Sequence, residues 1–201
     1  EFDIIKSASP LNNLDDPTGL NPLAIPLLGT KNRATLRYSL QGGADGYTIA
    51  RPDILGAYDL FSDPETVDID YLLMGPSMSG IDDTIAKAQH VISIAAARKD
   101  CIAFVSPYRG DVIGQTKTST IVQRTVNYFD QLSSTSYAVF DNNYKYIYDK
   151  YSDKYRYIPC NADVAGLTLS TTLQQEPWYS PAGFNRGQLR NAIKLAYSPL
   201  K

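Results

Sequence analysis

Two serines in the stretch GPSMSG, residues 75–80, stand where a strand-like run gives way to a helix-like one. A serine on such a turn can be a nucleophile. The spacing is not GxSxG, because Ser79 rather than a glycine stands two residues after Ser77. A triad also needs a histidine held by a carboxylate, and the chain has one histidine, His90. At 100° per residue His90 falls about 180° from Ile81 on the following helix, and roughly 15 Å along it, so it is expected as a solvated surface residue. No SxxK follows either serine, which removes the serine–lysine variant. The same turn is a poor phosphate cradle. It is neither GxGxxG nor GxxxxGK[ST], and Pro76 removes a backbone donor where one is needed.

Other reactive types have ordinary roles. Cys101 lies in the apolar run CIAFV and Cys160 at a helix start, with no CxxC or Cys/His cluster, so a zinc site is not expected. The thiols read as reduced. Asp82 and Asp83 occupy a first helical turn, where acids favour the dipole. Asp68 and Asp70 flank a strand entrance, and Asp15 and Asp16 lie in a proline-rich loop. Tyrosines can stack on bases or sugars, but those at 144–157 are interleaved with Asp149, Lys150, Asp153 and Lys154, which suits packing or a protein surface better than a basic groove. EPWYSPAGFNRG, residues 176–187, holds the single tryptophan; it suits either a pocket lining or a rigid corner. No catalytic, cofactor-binding or metal-binding residue is assigned. The residues singled out are structural or interaction candidates: Trp178, Pro181 and Gly183 at that corner, and Arg186 as an inter-subunit contact or a paired surface arginine.

The elements that would position these residues alternate. After a Pro-, Asn- and Leu-rich opening, NRATLRYSL (32–40) alternates as a strand and QGGADG (41–46) is a turn. A short helix over 51–61 carries Pro52 in its first turn. A strand over 68–75, buried on both faces at its centre, leads to a helix over 81–99 with Ile81, Ile85, Ala88, Ile92, Ala95 and Ala96 on one face. A strand over 101–107 precedes a loop with Gly110 and Gly114. A helix over 118–133 follows with Ile121, Val122, Thr125, Val126, Phe129 and Leu132 inward, then a strand over 136–141. Strand, helix, strand, helix, strand implies right-handed parallel crossovers and a three-layer α/β fold, a largely parallel sheet with helices on both faces. NNYKYIYDKYSDKYRYIP (142–159) reads as a Tyr-rich β-hairpin. Residues 161–175 form a helix with Asn161 as N-cap, and 186–197 a final helix or strand–helix junction.

With 201 residues, 43% hydrophobic and 20% charged, one packed domain is expected. The net charge of −2 argues against a dedicated nucleic-acid binder. No apolar run is long enough to span a membrane, and no signal peptide is visible. The chain opens at EFDII without an initiator methionine and stops at SPLK, which suggests a fragment.

Several stretches, in order, resemble the tail sheath proteins of contractile bacteriophages. LQGGADGY (40–47) is similar to the Gly-Gly-x-Asp-Gly turn that opens the family's central domain. YLLMGPS, the helix ending AAARKD, CIAFVSP and SYAVFDNNYKYIYD follow in the family's order. The strongest likeness is IPCNADVAGLTLSTTLQQEPWYSPAGFNRG, where Pro159, Val164, Ala165, Gly166, Trp178, Pro181, Ala182, Gly183 and Gly187 match the family pattern. The resemblance covers residues 40 to 197, and the Tyr-rich stretch looks closest to T4-like myovirus sheaths. It implies a non-catalytic, subtilisin-like α/β core over 40–201, after the end of a preceding β/loop-rich segment over 1–39, with the family's C-terminal part absent.

The resemblance further implies a structural virion protein and not an enzyme. Its subunits would stack as hexameric rings around the tail tube and contract to drive the tube through the host envelope for genome ejection, with no cofactor. Partners would be other sheath subunits, the tail tube protein, the baseplate and the tail terminator, with no nucleic acid and no membrane insertion. The site would be the phage tail, assembled in the host bacterial cytoplasm. The chain alone is expected to be monomeric. The alternative is a doubly wound hydrolase or nucleotide-binding enzyme. It would need a polar cluster at the strands' carboxyl ends, from Ser77, Ser79, Ser106, Tyr108, Arg109 and Asp141.

Overall fold

The computed structural model describes residues 49–198. The strand read at 32–40, the turn at 41–46 and the boundary at 39/40 lie outside the described residues. Helix α1 (Arg51–Asp59) has proline in its first turn, where the missing N–H costs nothing. Strand β1 (Tyr71–Leu73), helix α2 (Ile81–Arg98), strand β2 (Ile102–Val105), the short helix α3 (Arg109–Val112), helix α4 (Thr118–Phe129) and strand β3 (Ala138–Phe140) follow. Then come β4 (Tyr144–Asp149), β5 (Lys154–Pro159), helix α5 (Asn161–Gln174) and β6 (Lys194–Leu195).

Strands β1, β2 and β3 form one parallel sheet in that order. Leu72 pairs with Ala103 and Ala103 with Ala138, while Leu73, Phe104 and Val139 form the next row. Because side chains alternate, these rows face opposite sides. Right-handed crossovers in this order place both connecting helices on one face. Two buried clusters agree. In one, Leu72 and Ala103 meet Val91, Ile94 and Ala95 of α2. In the other, Met74 and Val105 meet Ala88 and Ile92 of α2 and Tyr128 of α4. On the reverse row only Phe104 is buried; Leu73 and Val139 are exposed. The strand read at 68–75 is therefore not buried on both faces throughout. Helix α5 packs against β1 and β2.

Both long helices are turned relative to the reading of their sequence. In α2 the buried residues are Thr84, Lys87, Ala88, Val91, Ile92, Ile94, Ala95 and Arg98. At 100° per residue, that arc is centred roughly 80° away from the Ile81–Ala96 stripe. Ile81 is exposed. The cause is two-sided packing: the helix meets the sheet on one flank and α1 on the other. In α4 the buried set is Ile121, Thr125 and Tyr128, and Val122 and Val126 are exposed. Tyr128 replaces them at the core.

The Tyr-rich hairpin is present. Tyr146 stands opposite Tyr157 and Tyr148 opposite Tyr155 across β4 and β5, with ring centroids 4.6 and 5.0 Å apart; such pairs contribute about 0.5–1 kcal/mol each. Tyr144 turns inward onto Val112, Ile121 and Tyr197. Lys145, on the other face, reaches Asp163 of α5 at 2.6 Å. The final helix read over 186–197 is absent. Asn191 adopts a left-handed φ of 57°, which breaks helical continuation, and Lys194 and Leu195 pair with Tyr146 and Lys145 at the edge of β4.

Candidate functional site

The carboxyl ends of β1, β2 and β3 bring together most of the polar residues expected there. Ser106 follows β2, and its hydroxyl donates to Asp141 at 2.5 Å. The Asn161 backbone N–H donates to the same hydroxyl at 3.2 Å, and the Asn161 side-chain amide donates to the Gly75 carbonyl at 2.8 Å. Asn161 is thus not the N-cap of α5. That position is Cys160, which makes no side-chain cap, and the Asn161 amide instead pins the helix start to the end of β1. Tyr144 donates to the Pro107 carbonyl at 2.7 Å. Tyr108 donates to the Ser79 carbonyl at 2.9 Å, and the Arg109 N–H donates to Ser77 at 3.3 Å. Gly75 turns the chain out of β1 at φ 69°, a conformation that suits glycine.

The inner part of this cluster is closed to solvent, whereas Ser79 and Arg109 are exposed and Ser77, Tyr108 and Asp141 are half-buried. Ser106, Tyr144, Cys160 and Asn161 are all almost completely buried. Burial pushes the Asp141 carboxyl up to about 7 against the opposing bonds from Ser106 and Asn143. It also pushes the Tyr144 phenol and the Cys160 thiol up to about 12. A raised thiol is an inert one. Among the described residues, Ser106 bonds a carboxyl, that of Asp141, and no histidine bonds a serine hydroxyl of this cluster. His90 spends Nε2 on Asp59 at 2.8 Å.

His90 also departs from the sequence reading. It is half-buried rather than fully solvated: its side chain is 27% exposed. The turned arc of α2 brings position 90 to the edge of the buried face, beside the end of α1. Lys87 is the residue that sequence reasoning missed. It is 2% exposed, its ammonium donates to the Pro76 carbonyl at 2.9 Å, and burial lowers its pKa. A lysine on a helix normally reads as solvated; only the rotation of α2 reveals it. It forms no bond to Ser77 or Ser79 among the described residues.

The turn at 176–187 is the opposite kind of place. Trp178 is 78% exposed and Phe184 92%, with Leu173 of α5 exposed nearby in sequence. The turn is held by its backbone and by Arg186, not by a tryptophan core. Arg186 Nε donates to the carbonyls of Ser180 and Ala182 at 3.0 and 3.3 Å, and the guanidinium lies 5.6 Å over the Tyr179 ring. Gly183 has φ 150°. A Cβ on Gly187 would lie 2.9 Å from the Gly183 carbonyl oxygen, so the closure Gly187 N–H to Gly183 O at 2.8 Å requires glycine. Pro181 is half-buried. Between α5 and residues 185–191 runs an open groove of about 870 Å³, lined by Asp163, Ser170, Gln174, Arg186 and Arg190 among others.

No family model matches the chain. Comparison with known proteins is decisive nonetheless. The chain is 41% identical over 170 residues to the tail sheath protein of Enterobacteria phage T4, a match covering 79% of this chain and 26% of that protein. It is 35% identical over 175 residues to the tail sheath protein of Vibrio phage KVP40, again 79% and 26%. The chain is a homologue of phage tail sheath proteins. A third relative, the tail sheath protein of Salmonella phage ViI, is 32% identical over 160 residues, 79% of this chain and 24% of that protein. The chain thus spans about a quarter of the length of the sheath relatives it matches.

Proposed function

We propose that this chain is a structural segment of a contractile tail sheath subunit, part of the sheath around a phage tail tube, and not an enzyme. Identity of 41% to the T4 tail sheath protein carries this reading. The burial of Ser106, Tyr144 and Asn161 at the strand ends supports it, because a doubly wound enzyme would keep that crevice open to substrate. The work of such a protein is rearrangement of packed subunits, which drives the tube through the host envelope for genome ejection. Its partners are other copies of the subunit, in stacked hexameric rings, together with the tail tube protein, the baseplate and the tail terminator. Its place is the virion tail, after assembly in the host bacterial cytoplasm.

The same reading makes residues 40–201 the sheath's non-catalytic, subtilisin-like core, with helices on both faces of the parallel sheet: α2 and α4 on one, α5 against the other. Trp178, Pro181, Gly183 and Arg186 form its presented corner, in which Arg186 fixes the turn and Trp178 meets a neighbouring subunit. Electron microscopy of the full-length protein tests the function. Tubular polymers are expected on self-assembly, whereas monodisperse particles that turn over an ester or nucleotide would return the doubly wound enzyme to favour.

A further inference from the structure

Strand β3 leaves one edge of the parallel sheet open. Its inner edge is spent on β2: the Tyr137 carbonyl accepts from the Ala103 N–H, and the Asp141 N–H donates to the Val105 carbonyl. Backbone groups alternate in direction along a strand, so the N–H and C=O of Ala138 and Phe140 point away from β2. They have no backbone partner among the described residues. The other edges are dealt with. The Leu73 carbonyl of β1 accepts from the Tyr58 hydroxyl at 2.9 Å. The second edge of β4 is taken by β6, and β5 carries Lys154 and Arg156 and ends at Pro159. Charges and proline keep exposed edges from pairing. β3 reads Ala-Val-Phe and has neither.

The side chains around that edge are apolar on both faces of the sheet. Val139 is exposed on the face where α5 packs against β1 and β2. On the other face Phe140 is exposed and stacks on Phe129 of α4, with ring centroids 4.8 Å apart. Val126 and Val122, also exposed, continue that stripe along the helix. Phe129 packs on the buried cluster that holds Met74 and Val105, so the stripe is an outward continuation of the core.

An extended segment fits this edge, because directed N–H and C=O groups are met by another backbone. With apolar neighbours on both faces, that segment would itself be apolar on both faces. A second copy of β3 is a poor occupant. Three residues and four partly exposed side chains offer far less than the about 800 Å² per partner that separate chains bury in a stable complex. A segment of the same polypeptide needs no such area, because it is already tethered. The chain matches only 26% of the length of the T4 and KVP40 sheath proteins, so a subunit of their length holds ample chain to supply it.

We propose that the outer edge of β3 is the docking site for an apolar strand from the part of the sheath subunit beyond this chain, which extends the parallel sheet and covers Val139, Phe140, Val126 and Val122. The assignment rests on membership of the sheath family and on no step of contraction.

The test is hydrogen exchange on the full-length subunit, unassembled and dilute, with fragmentation that resolves single amides. Asp141, bonded to β2, is the internal reference. The Ala138 and Phe140 amides, corrected for their intrinsic rates, are expected to exchange within about tenfold of Asp141 at every concentration. Exchange faster than that would leave the edge open to water and overturn the proposal. Protection that appears only as concentration rises, or only in assembled tubes, would give the edge to another copy and overturn it equally. Tube formation, read separately, reports on the sheath reading alone.

Discussion

Buried hydroxyls show where this core is imperfect. Tyr128 is completely buried and its hydroxyl has no hydrogen-bond partner among the described residues, and neither has the buried Thr125 hydroxyl one helical turn earlier. An unpaired buried hydroxyl costs about 1–3 kcal/mol. Tyr128→Phe keeps the ring against Met74 and Val105 and removes that cost. Its urea midpoint is expected to equal or exceed that of wild type, by up to about 1 kcal/mol. A clear loss of stability would mean that the hydroxyl is satisfied after all. Asn161 is the converse case. Its amide holds the Gly75 carbonyl, and Asn161→Ala leaves that acceptor unpaired at the start of α5. A loss of about 1–3 kcal/mol is expected in the same assay, and an unchanged midpoint would remove Asn161 from the account of how α5 is anchored.

At the scale of elements, the end of α2 carries avoidable strain. Lys99 sits in the left-handed region at φ 63°, bonded through its N–H to the Ala95 carbonyl. This is the helix-terminating position that glycine fills best, and a lysine there carries about 1 kcal/mol of steric penalty. Lys99→Gly is therefore expected to raise the thermal midpoint by several degrees, read by circular dichroism; a lower midpoint would show that unfolded-chain entropy outweighs the relief. The alternation of elements was legible because period 2 and period 3.6 are local properties: DIDYLLMG, CIAFVSP and SYAVFD each gave a strand, and the YKYIYD–KYRYIP hairpin fell where its tyrosines alternate. The orientation of helices was not legible. It depends on how many neighbours a helix has, so Val122 and Val126 could be read inward and His90 as solvated, although the fold exposes both valines and sets His90 at the edge of the buried face. The helix read at 186–197 failed for a similar reason: the edge of β4 recruits Lys194 and Leu195, and a two-residue pairing leaves no periodic trace. The strand-end residues Ser77, Ser106 and Asp141 could be named in advance because parallel topology dictates where such ends meet. Their closure by α5, Asn161 and Tyr144 is tertiary and has no local signature.

At the scale of the whole molecule, the large aromatic groups of the 176–187 turn are presented to solvent, while Ser106, Tyr144 and Asn161 at the strand ends are buried. Trp178 and Phe184 are the most exposed large residues there, and exposed aromatics of this kind mark contact surfaces when several lie together. If the turn meets a neighbouring subunit, as the proposed sheath role requires, truncating them should affect assembly and not folding. Trp178→Ala combined with Phe184→Ala in the full-length protein is expected to leave the thermal midpoint of the unassembled subunit unchanged, because neither side chain is part of the described core clusters. Formation of tubular polymers, followed by light scattering and electron microscopy, should be weakened or lost. A lowered midpoint would instead assign these aromatics to the corner's own stability. Tubes forming as readily as in wild type, with the midpoint unchanged, would remove the turn from the contact surface and favour the groove beside α5, which Asp163, Arg186 and Arg190 help to line.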